Sequence, residues 1–318
     1  MKYLLITTTG NRNTGDELIR IGVQNLVKMI DPEAEFELLD KETDSWQPRE
    51  FNKAILCGMP LFWNNEVSTS QSISWWGMMM KGWISERKKD FLILGVGNVI
   101  GEYIEDLFTY ATAVQQAIDR AFAVTVRNFV GNHPDLIDSV CPSVFAVEEI
   151  KEPKYKLCNF MPDGAHDSHF NPKEARIWQN ILPEINRYCL ANDYYFIVHS
   201  HKDYRIEKPE ELGWNEDRII YFDTAEEYLN IYAQVKCYFG NRMHGSVITM
   251  ALGRPSLAIG YESRGLMVRK VGGEVMLPSE VKISDIVKLE NNSPPVIPEI
   301  IINEEIKLLT LLREFIEA

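Results

Sequence analysis

The sequence is poor in basic residues and has no long hydrophobic run. Its 318 residues include 33 Lys and Arg against 46 Asp and Glu, a formal net charge of −13. Nucleic-acid binding needs clustered cations along the phosphates, so this balance argues against a nucleic-acid partner. The longest uncharged apolar stretch, residues 67–80, contains polar residues. It is shorter than the roughly 20 residues that a spanning helix needs, and we expect no integral membrane segment.

The sequence also has no closely spaced cysteines. The five cysteines are scattered without CxxC spacing, which is typical of reduced core residues in a cytoplasmic protein. The first residues read as a strand and lack the anatomy of a signal peptide, in keeping with a cytoplasmic location. Four histidines, His166, His169, His199 and His201, lie in two loops, but no cysteine joins them at zinc-like spacing, so we predict no metal. GxGxxG and GxxxxGK[ST] patterns are missing too, which argues against a nicotinamide cofactor and a P-loop.

Short apolar runs alternate with longer stretches of helical period, a pattern typical of βα units with parallel sheets. The charged, proline-containing segment 147–156 interrupts this rhythm, and we place a domain boundary there. The prediction is an α/β protein of two Rossmann-like βα domains, 1–150 and 151–318, that face a cleft, with a closing C-terminal helix. Predicted strands are 3–8, 35–39, 53–56, 91–94, 123–126, 155–160, 194–199, 218–222, 236–239 and 256–259. Predicted helices are 17–30, 75–88, 107–120, 172–191, 225–234, 245–252 and 304–317, with Asn171 and Thr224 as N-caps.

Three loops of the first half follow strands, at the edge where open α/β folds bind ligands. The first has two glycines for a tight turn and precedes a helix whose N-terminus favours an anion. The second is glycine-rich, and the third begins with an arginine that suits a phosphate or a carboxylate. The alternative for the first and third loops, an ordinary turn and a solvated arginine, stays open. The candidate site residues are Asn13, Gly15, Asp16, Gly97, Asn98 and Arg127.

The most informative segment is Arg242-Met243-His244-Gly245-Ser246, which follows a strand and opens a short helix. It places a permanent cation and a titratable imidazole at a helix start, beside small residues that leave room for a substrate. We predict that Arg242 and Ser246 bind substrate and that His244 transfers a proton near neutral pH. His199, at another strand end, is a further candidate to contact the substrate.

Four motifs together resemble the polysaccharide pyruvyl transferase family. They are NTGDELI near the N-terminus, LGVGNVIG, TVRN, and NRMHGSVITMALGRPSLAIGYESRG near residue 250. The resemblance covers residues 8–265, and its most specific part is Arg242, His244, Gly253, Pro255, Ile259 and Tyr261. The chain departs from the family pattern at residues 57–61, at Asn128, where many relatives have Asp, and at residues 262–264.

The resemblance implies a GT-B-like fold and a transferase of polysaccharide biosynthesis. Characterised members move the enolpyruvyl unit of phosphoenolpyruvate onto two sugar hydroxyls as a ketal. Carried over to this chain, the match implies that Arg127 and Arg242 bind the phosphate and carboxylate of phosphoenolpyruvate and that His244 lies close to the reacting carbons. Asp16 is implied to orient or deprotonate an acceptor hydroxyl.

The expected partners are therefore a small-molecule donor and a saccharide acceptor, with no cofactor besides the donor substrate. A homo-oligomer is left open. Two alternatives also stay open: a GT-B-type glycosyltransferase that uses a nucleotide sugar, and a non-catalytic protein that binds a small anion.

Overall fold

A computed structural model of the chain describes ten stretches of residues. They are 1–9, 13–40, 50–58, 60–63, 90–99, 117–128, 134–162, 171–260, 263–291 and 296–318, without the side chains at 60–63, 98, 99, 201 and 202. The chain divides into two units: unit 1 is Met1–Thr9, Asp16–Ala146 and Asn303–Ala318, and unit 2 is Gly10–Gly15 and Val147–Ile302. The main division, between Ala146 and Val147, lies close to the boundary that the sequence predicts at residue 150.

Unit 1 is built on a parallel sheet. Its strands are β1 (Lys2–Thr7), β2 (Glu35–Asp40), β3 (Lys53–Cys57), β4 (Pro60–Trp63), β5 (Phe91–Val99), β6 (Val124–Asn128) and β7 (Leu136–Asp138). The order is β2-β1-β3-β5-β6-β7, and β4 also pairs with β5. Helix α1 (Thr14–Ile30) follows β1. After β2 the chain returns to the other side of β1, so the direction of winding switches between β1 and β3.

Unit 2 contains a second parallel sheet. Its strands are β8 (Tyr155–Asn159), β9 (Tyr194–Ile197), β10 (Ile219–Ile220), β11 (Val235–Gly240), β12 (Ser256–Ile259) and β13 (Glu274–Met276), in the order β10-β9-β8-β11-β12-β13. Its described helices are α2 (Pro172–Ala191), α3 (His201–Glu207), α4 (Ala225–Ala233), α5 (Met243–Ala251), α6 (Gly265–Lys270) and α7 (Ile283–Glu290). The winding here switches between β8 and β11, and ligands of open α/β sheets bind outside the carboxyl ends of the strands at such a point.

Aromatic side chains form the core of unit 2. The Phe160 ring lies 5.7 Å from that of Phe196 and 5.8 Å from that of Phe239, both edge-on. Trp178 of α2 is fully buried against the same group, and its indole N–H donates to the Met161 carbonyl at 2.7 Å. These contacts fix the strands β8, β9 and β11, whose carboxyl ends carry the candidate site.

The C-terminal helix α8 (Glu299–Glu317) differs from its prediction. The sequence places it in the second domain, but residues Asn303–Ala318 belong to unit 1. The reason is local packing: Phe315 is fully buried, with its ring 5.5 Å from the Phe122 ring, and Glu304 accepts a hydrogen bond from the Ser139 hydroxyl at 2.7 Å.

Most predicted elements are present, with small shifts at their ends. Asn171 caps α2 as predicted, because its side chain accepts from the Glu174 N–H at 3.2 Å, whereas the Thr224 side chain makes no capping bond to α4. The sequence missed the short elements β4, β7, β13, α3, α6 and α7. The helix predicted at 75–88 and most of that predicted at 107–120 lie outside the described residues.

Candidate active site

The carboxyl ends of the central strands in unit 2 are joined by one asparagine. The Asn241 N–H donates to the Asn159 carbonyl at 3.1 Å, its side-chain oxygen accepts from the Met161 N–H at 3.0 Å, and its amide nitrogen donates to the Ile259 carbonyl at 3.3 Å. Asn241 thus ties together the ends of β8, β11 and β12. The preceding Gly240 approaches Asn159 so closely that a Cβ would lie 2.2 Å from its carbonyl oxygen. The next residue, Arg242, is fixed at the switch point by this arrangement.

Arg242 is held by two carboxyl groups of helix α3. Its guanidinium forms an ion pair with Asp203, and its Nε lies 3.4 Å from a Glu207 oxygen. Asp203 and Glu207 are four residues apart, so they project from the same side of α3. Both are buried, Glu207 completely, and the Asn159 side-chain amide donates to Glu207 at 3.0 Å. A cation held in this way has a defined orientation, which an anionic ligand requires for paired hydrogen bonds.

Burial raises the pKa of Glu207 to about 8, against the opposing effect of Arg242. Asp203 reinforces the rise, and the hydrogen bond from Asn159 opposes it. Glu207 is therefore mainly neutral at pH 7, and Asp203 supplies the closer countercharge to Arg242.

His244 lies in the first turn of α5, half-buried, directly against Gly15, the second residue of α1. A Cβ on Gly15 would be 2.3 Å from the Nδ1 atom of His244, so only glycine fits there. On the other side, Gly245 accommodates the Tyr238 ring, and the Tyr238 hydroxyl donates to the Arg242 carbonyl at 3.1 Å. The imidazole is thus confined at the N-terminus of α5.

His199, the residue that the sequence suggests for contact with the substrate, lies in a hydrophobic environment beside Tyr228 and Tyr232. It is buried, and its Nε2 lies 2.6 Å from the Tyr232 hydroxyl. Burial lowers the pKa of His199 to about 3, with a further contribution from Arg242, so the ring is neutral at physiological pH. Its backbone carbonyl accepts from both the N–H and the hydroxyl of Thr14. Within unit 2, His199 therefore anchors the loop that brings Gly15 to His244.

The unit 1 candidates lie on two strands of its sheet and on helix α1. Arg127, at the end of β6, is buried with its Nη1 3.4 Å from the Cys141 sulfur. Gly97 of β5 makes room for it: a Cβ there would lie 2.1 Å from the Asn128 side-chain oxygen and 3.0 Å from the Arg127 Nε. Asp16 is also buried and accepts from the Thr8 hydroxyl at 2.9 Å.

The remaining candidates are not assembled with these groups. Asn13 is exposed at the start of the described part of its loop, and Ser246 of α5 is completely buried. The side chain of Asn98 and the whole of His166 and His169 lie outside the described residues. In the part of the chain that the structure describes, no three His, Cys, Asp or Glu side chains are grouped so as to hold a metal ion.

Sequence reasoning missed several residues that shape the site, namely Thr14, Asn159, Glu207 and Asn241. The sequence did contain a signal for Glu207. Ser200 followed three residues later by Asp203 is typical of a capped helix start. Glu207 comes four residues after Asp203 and therefore lies on the same face of that helix. Asn241 directly precedes the Arg-x-His motif. Asn159 gave no sequence signal, because its role depends on the pairing of β8 with β11.

The two parallel sheets, each with a winding switch and flanking helices, define a protein of two Rossmann-like α/β units with a GT-B-like fold. Solved structures with this fold include a Listeria monocytogenes protein described as a candidate UDP-N-acetylglucosamine 2-epimerase, at 12% identity and TM-score 0.54 over 99% of this chain and 96% of that one. The UDP-GlcNAc 2-epimerase of Methanocaldococcus jannaschii gives 9% identity and TM-score 0.54 over 94% and 95% of the two chains. S. aureus MnaA, solved with UDP, gives 13% identity and TM-score 0.50 over 92% and 88%. At these identities the likeness extends to the fold alone.

The chain belongs to the polysaccharide pyruvyl transferase family, whose sequence model matches residues 13–263. The match includes the Gly15 loop, Arg127, and the Arg242–His244 motif. Comparison with curated proteins by sequence gives no match. Among the described helices, none combines the length and apolar character required to cross a membrane.

Proposed function

We propose that this protein transfers the enolpyruvyl group of phosphoenolpyruvate onto two hydroxyls of a saccharide, forming a ketal and releasing phosphate. The methylene carbon of the donor gains a proton and becomes a methyl group. The neighbouring carbon forms bonds to the two hydroxyl oxygens and loses its bond to the phosphate oxygen. The two hydroxyls lose one proton each. One of these offsets the proton that the methylene carbon gains, and the other leaves with the phosphate.

The observation that carries this proposal is the pairing of Arg242 with His244 at the start of α5. A trianionic donor needs a cation that is already oriented, and Arg242 is oriented by Asp203 and Glu207. The reacting carbon also needs a proton source, and His244 is placed two residues away at the same helix terminus. In the proposed reaction Arg242 binds the phosphate or the carboxylate, and His244 protonates the methylene carbon.

Unit 1 supplies the remaining roles that family membership suggests. We assign Arg127 to the second anionic group of the donor and Asp16 to an acceptor hydroxyl. Support comes from their position at the carboxyl edge of the sheet of unit 1, where Arg127 lies near the end of β6 and Asp16 lies in the first turn of α1, which follows β1. The nucleotide-sugar alternative has support from the fold only, since no residue of the described site favours it.

Substitution of Arg242 tests the donor assignment. Arg242→Ala should abolish the binding of phosphoenolpyruvate measured by calorimetry, because it removes both the charge and the paired donors. Arg242→Lys keeps the charge and should bind at least tenfold more weakly, since a lysine cannot make the bidentate contact. Arg187→Ala, which removes an exposed arginine of α2, is the matched control and should bind as the wild type does.

Thermal melting of each variant separates loss of the ligand from loss of the fold. A folded Arg242→Ala protein that binds phosphoenolpyruvate with wild-type affinity would contradict the proposal. Mass spectrometry of saccharides incubated with the enzyme and phosphoenolpyruvate should then reveal a product carrying one pyruvyl ketal, absent with His244→Ala.

A further inference from the structure

Unit 2 has a cavity beyond the Arg242–His244 site. It has a volume of about 330 Å³ and is lined by Tyr204, Arg205, Glu216, Ile219 and Tyr221. Tyr204 and Arg205 belong to α3, which follows β9, and Tyr221 follows β10. Glu216 and Ile219 lie just before β10 and at its first residue, so the cavity runs along β10, the outermost strand of the sheet that carries Arg242 after β11. A cavity of this size, mainly apolar with a few polar groups, is in the range of small-molecule sites.

Helix α3 connects the cavity with the candidate active site. Asp203 and Glu207 project toward Arg242. Each residue of an α-helix advances by about 100° around the axis, so Tyr204 and Arg205 project about 100° and 200° away from the direction of Asp203. In the strand order, β10 and β11 are three positions apart, which is roughly 14 Å at the usual strand spacing. A chain of sugar rings spans such a distance along one sheet edge, and a single ring does not.

The lining of the cavity matches the chemistry of a neutral sugar ring. The rings of Tyr204 and Tyr221 lie 5.2 Å apart and are inclined by 60°, so they form an angled pair of apolar faces. Tyr204 is fixed in place because its hydroxyl donates to Glu210. Sugar rings present C–H faces to such surfaces and hydroxyls at their rim.

The charged groups of the lining favour the same ligand class. Arg205 and Glu216 are both exposed, one a donor and the other an acceptor of hydrogen bonds. Sugar hydroxyls are donors and acceptors at once, so they satisfy both groups. A nucleoside diphosphate would place negative charge beside Glu216, and a wholly apolar ligand would make no hydrogen bond to either charged group.

We propose that this cavity is a subsite for a neutral pyranose ring of the acceptor saccharide, packed against the angled pair Tyr204 and Tyr221 and hydrogen-bonded by Arg205 and Glu216. The proposal rests on the proposed function for the identity of its ligand as an acceptor. It adds the location at which a ring remote from the reacting hydroxyls is recognised.

Saturation-transfer NMR on the full chain tests the subsite directly and without turnover. The probes are the methyl β-glycosides of glucose, galactose, N-acetylglucosamine and N-acetylmannosamine, each at millimolar concentration. At least one should receive saturation from the protein. Tyr221→Ala and Arg205→Ala should weaken that binding about tenfold, the equivalent of one hydrogen bond to a charged group or one ring contact. Tyr221→Phe retains the ring and should bind nearly as the wild type does.

Arg187→Ala is again the control, because it removes an exposed arginine from another helix of unit 2. Saturation of none of the four glycosides, or equal saturation in the wild type and Tyr221→Ala, would overturn the subsite. Phosphoenolpyruvate affinity should be unchanged in the Tyr221 and Arg205 variants. Failure of the proposed function would instead appear as absence of phosphoenolpyruvate binding to the wild type, whatever the glycosides do.

Discussion

The completely buried carboxyl of Glu207 links protonation to folding. Burial raises its pKa from 4.5 to about 8 in the folded chain. Between these values the folded chain holds a proton that the unfolded chain has released. The free energy of unfolding must therefore fall as the pH rises through this window, by at most about 1.4 kcal/mol per pH unit from this group, and level off above it.

Glu207→Gln tests that linkage. The amide imitates the protonated carboxyl and does not titrate, so the contribution of Glu207 to the fall in stability between pH 5.5 and pH 8 should disappear. Urea unfolding at the two pH values measures the difference. Glu211→Gln removes an exposed carboxylate that pairs with Lys208 on the surface and should retain the wild-type difference. An identical pH dependence in Glu207→Gln and the wild type would show that Glu207 does not hold a proton in the folded state.

At the scale of elements, helix α3 positions the Arg242 side chain, and it depends on its N-cap. The Ser200 hydroxyl accepts from the Asp203 N–H at 3.0 Å, and Ser200 itself is buried. With only seven residues, α3 has little stability of its own. The cap therefore determines how firmly Asp203 and Glu207 hold the guanidinium.

Ser200→Ala should lower the free energy of unfolding by about 1 kcal/mol, the usual cost of a lost N-cap. It should also raise the KM for phosphoenolpyruvate more than it lowers kcat, because the guanidinium is less well oriented for binding. Thr224→Ala at the start of α4 is the matched control, since the Thr224 side chain makes no capping bond. Equal effects of the two substitutions on KM would contradict a positioning role for α3.

The elements that the sequence predicts are those with strong apolar periodicity. Strands such as β1 and β11 are nearly continuous apolar runs because both faces of a parallel sheet are covered. The predicted ends of β6 and β11 also place Arg127 and Arg242 at the carboxyl edges of their sheets. In contrast, α3 consists mostly of polar residues and is stabilised by a cap and by contacts to Arg242, neither of which has a periodic signal. The edge strands β7 and β13 have three residues each, too few for a pattern.

Side-chain environments were harder to predict than positions, and the histidines illustrate why. His199 and His244 are similar in sequence, since each follows a strand of unit 2. The structure buries His199 against Tyr232 and leaves His244 half-buried against Gly15. The difference arises from long-range packing of α4 and of Thr14 and Gly15, which local patterns do not encode.

At the scale of the whole chain, the net charge of −13 gives no long-range attraction for an anionic donor. Affinity for such a donor then depends on a few cations fixed at short range. Arg127 and Arg242 have this character, since both are largely buried and each is positioned by neighbouring polar groups. Their effect is strong because low local polarity reduces screening.

The chain also returns to unit 1 at its C-terminal end, where α8 completes the packing around Lys53 and Phe122. Phe315 is fully buried, and the Lys53 ammonium lies 5.0 Å from the centre of its ring. Phe315→Ala should therefore cost about 3–5 kcal/mol, and hydrogen exchange should accelerate in β3 of unit 1 with little change in β11. Ile306→Ala on the same helix removes a side chain that is 60% exposed and should cost less than about 0.5 kcal/mol. If Phe315→Ala accelerated hydrogen exchange more in β11 than in β3, relative to the wild type, the assignment of α8 to unit 1 would be contradicted.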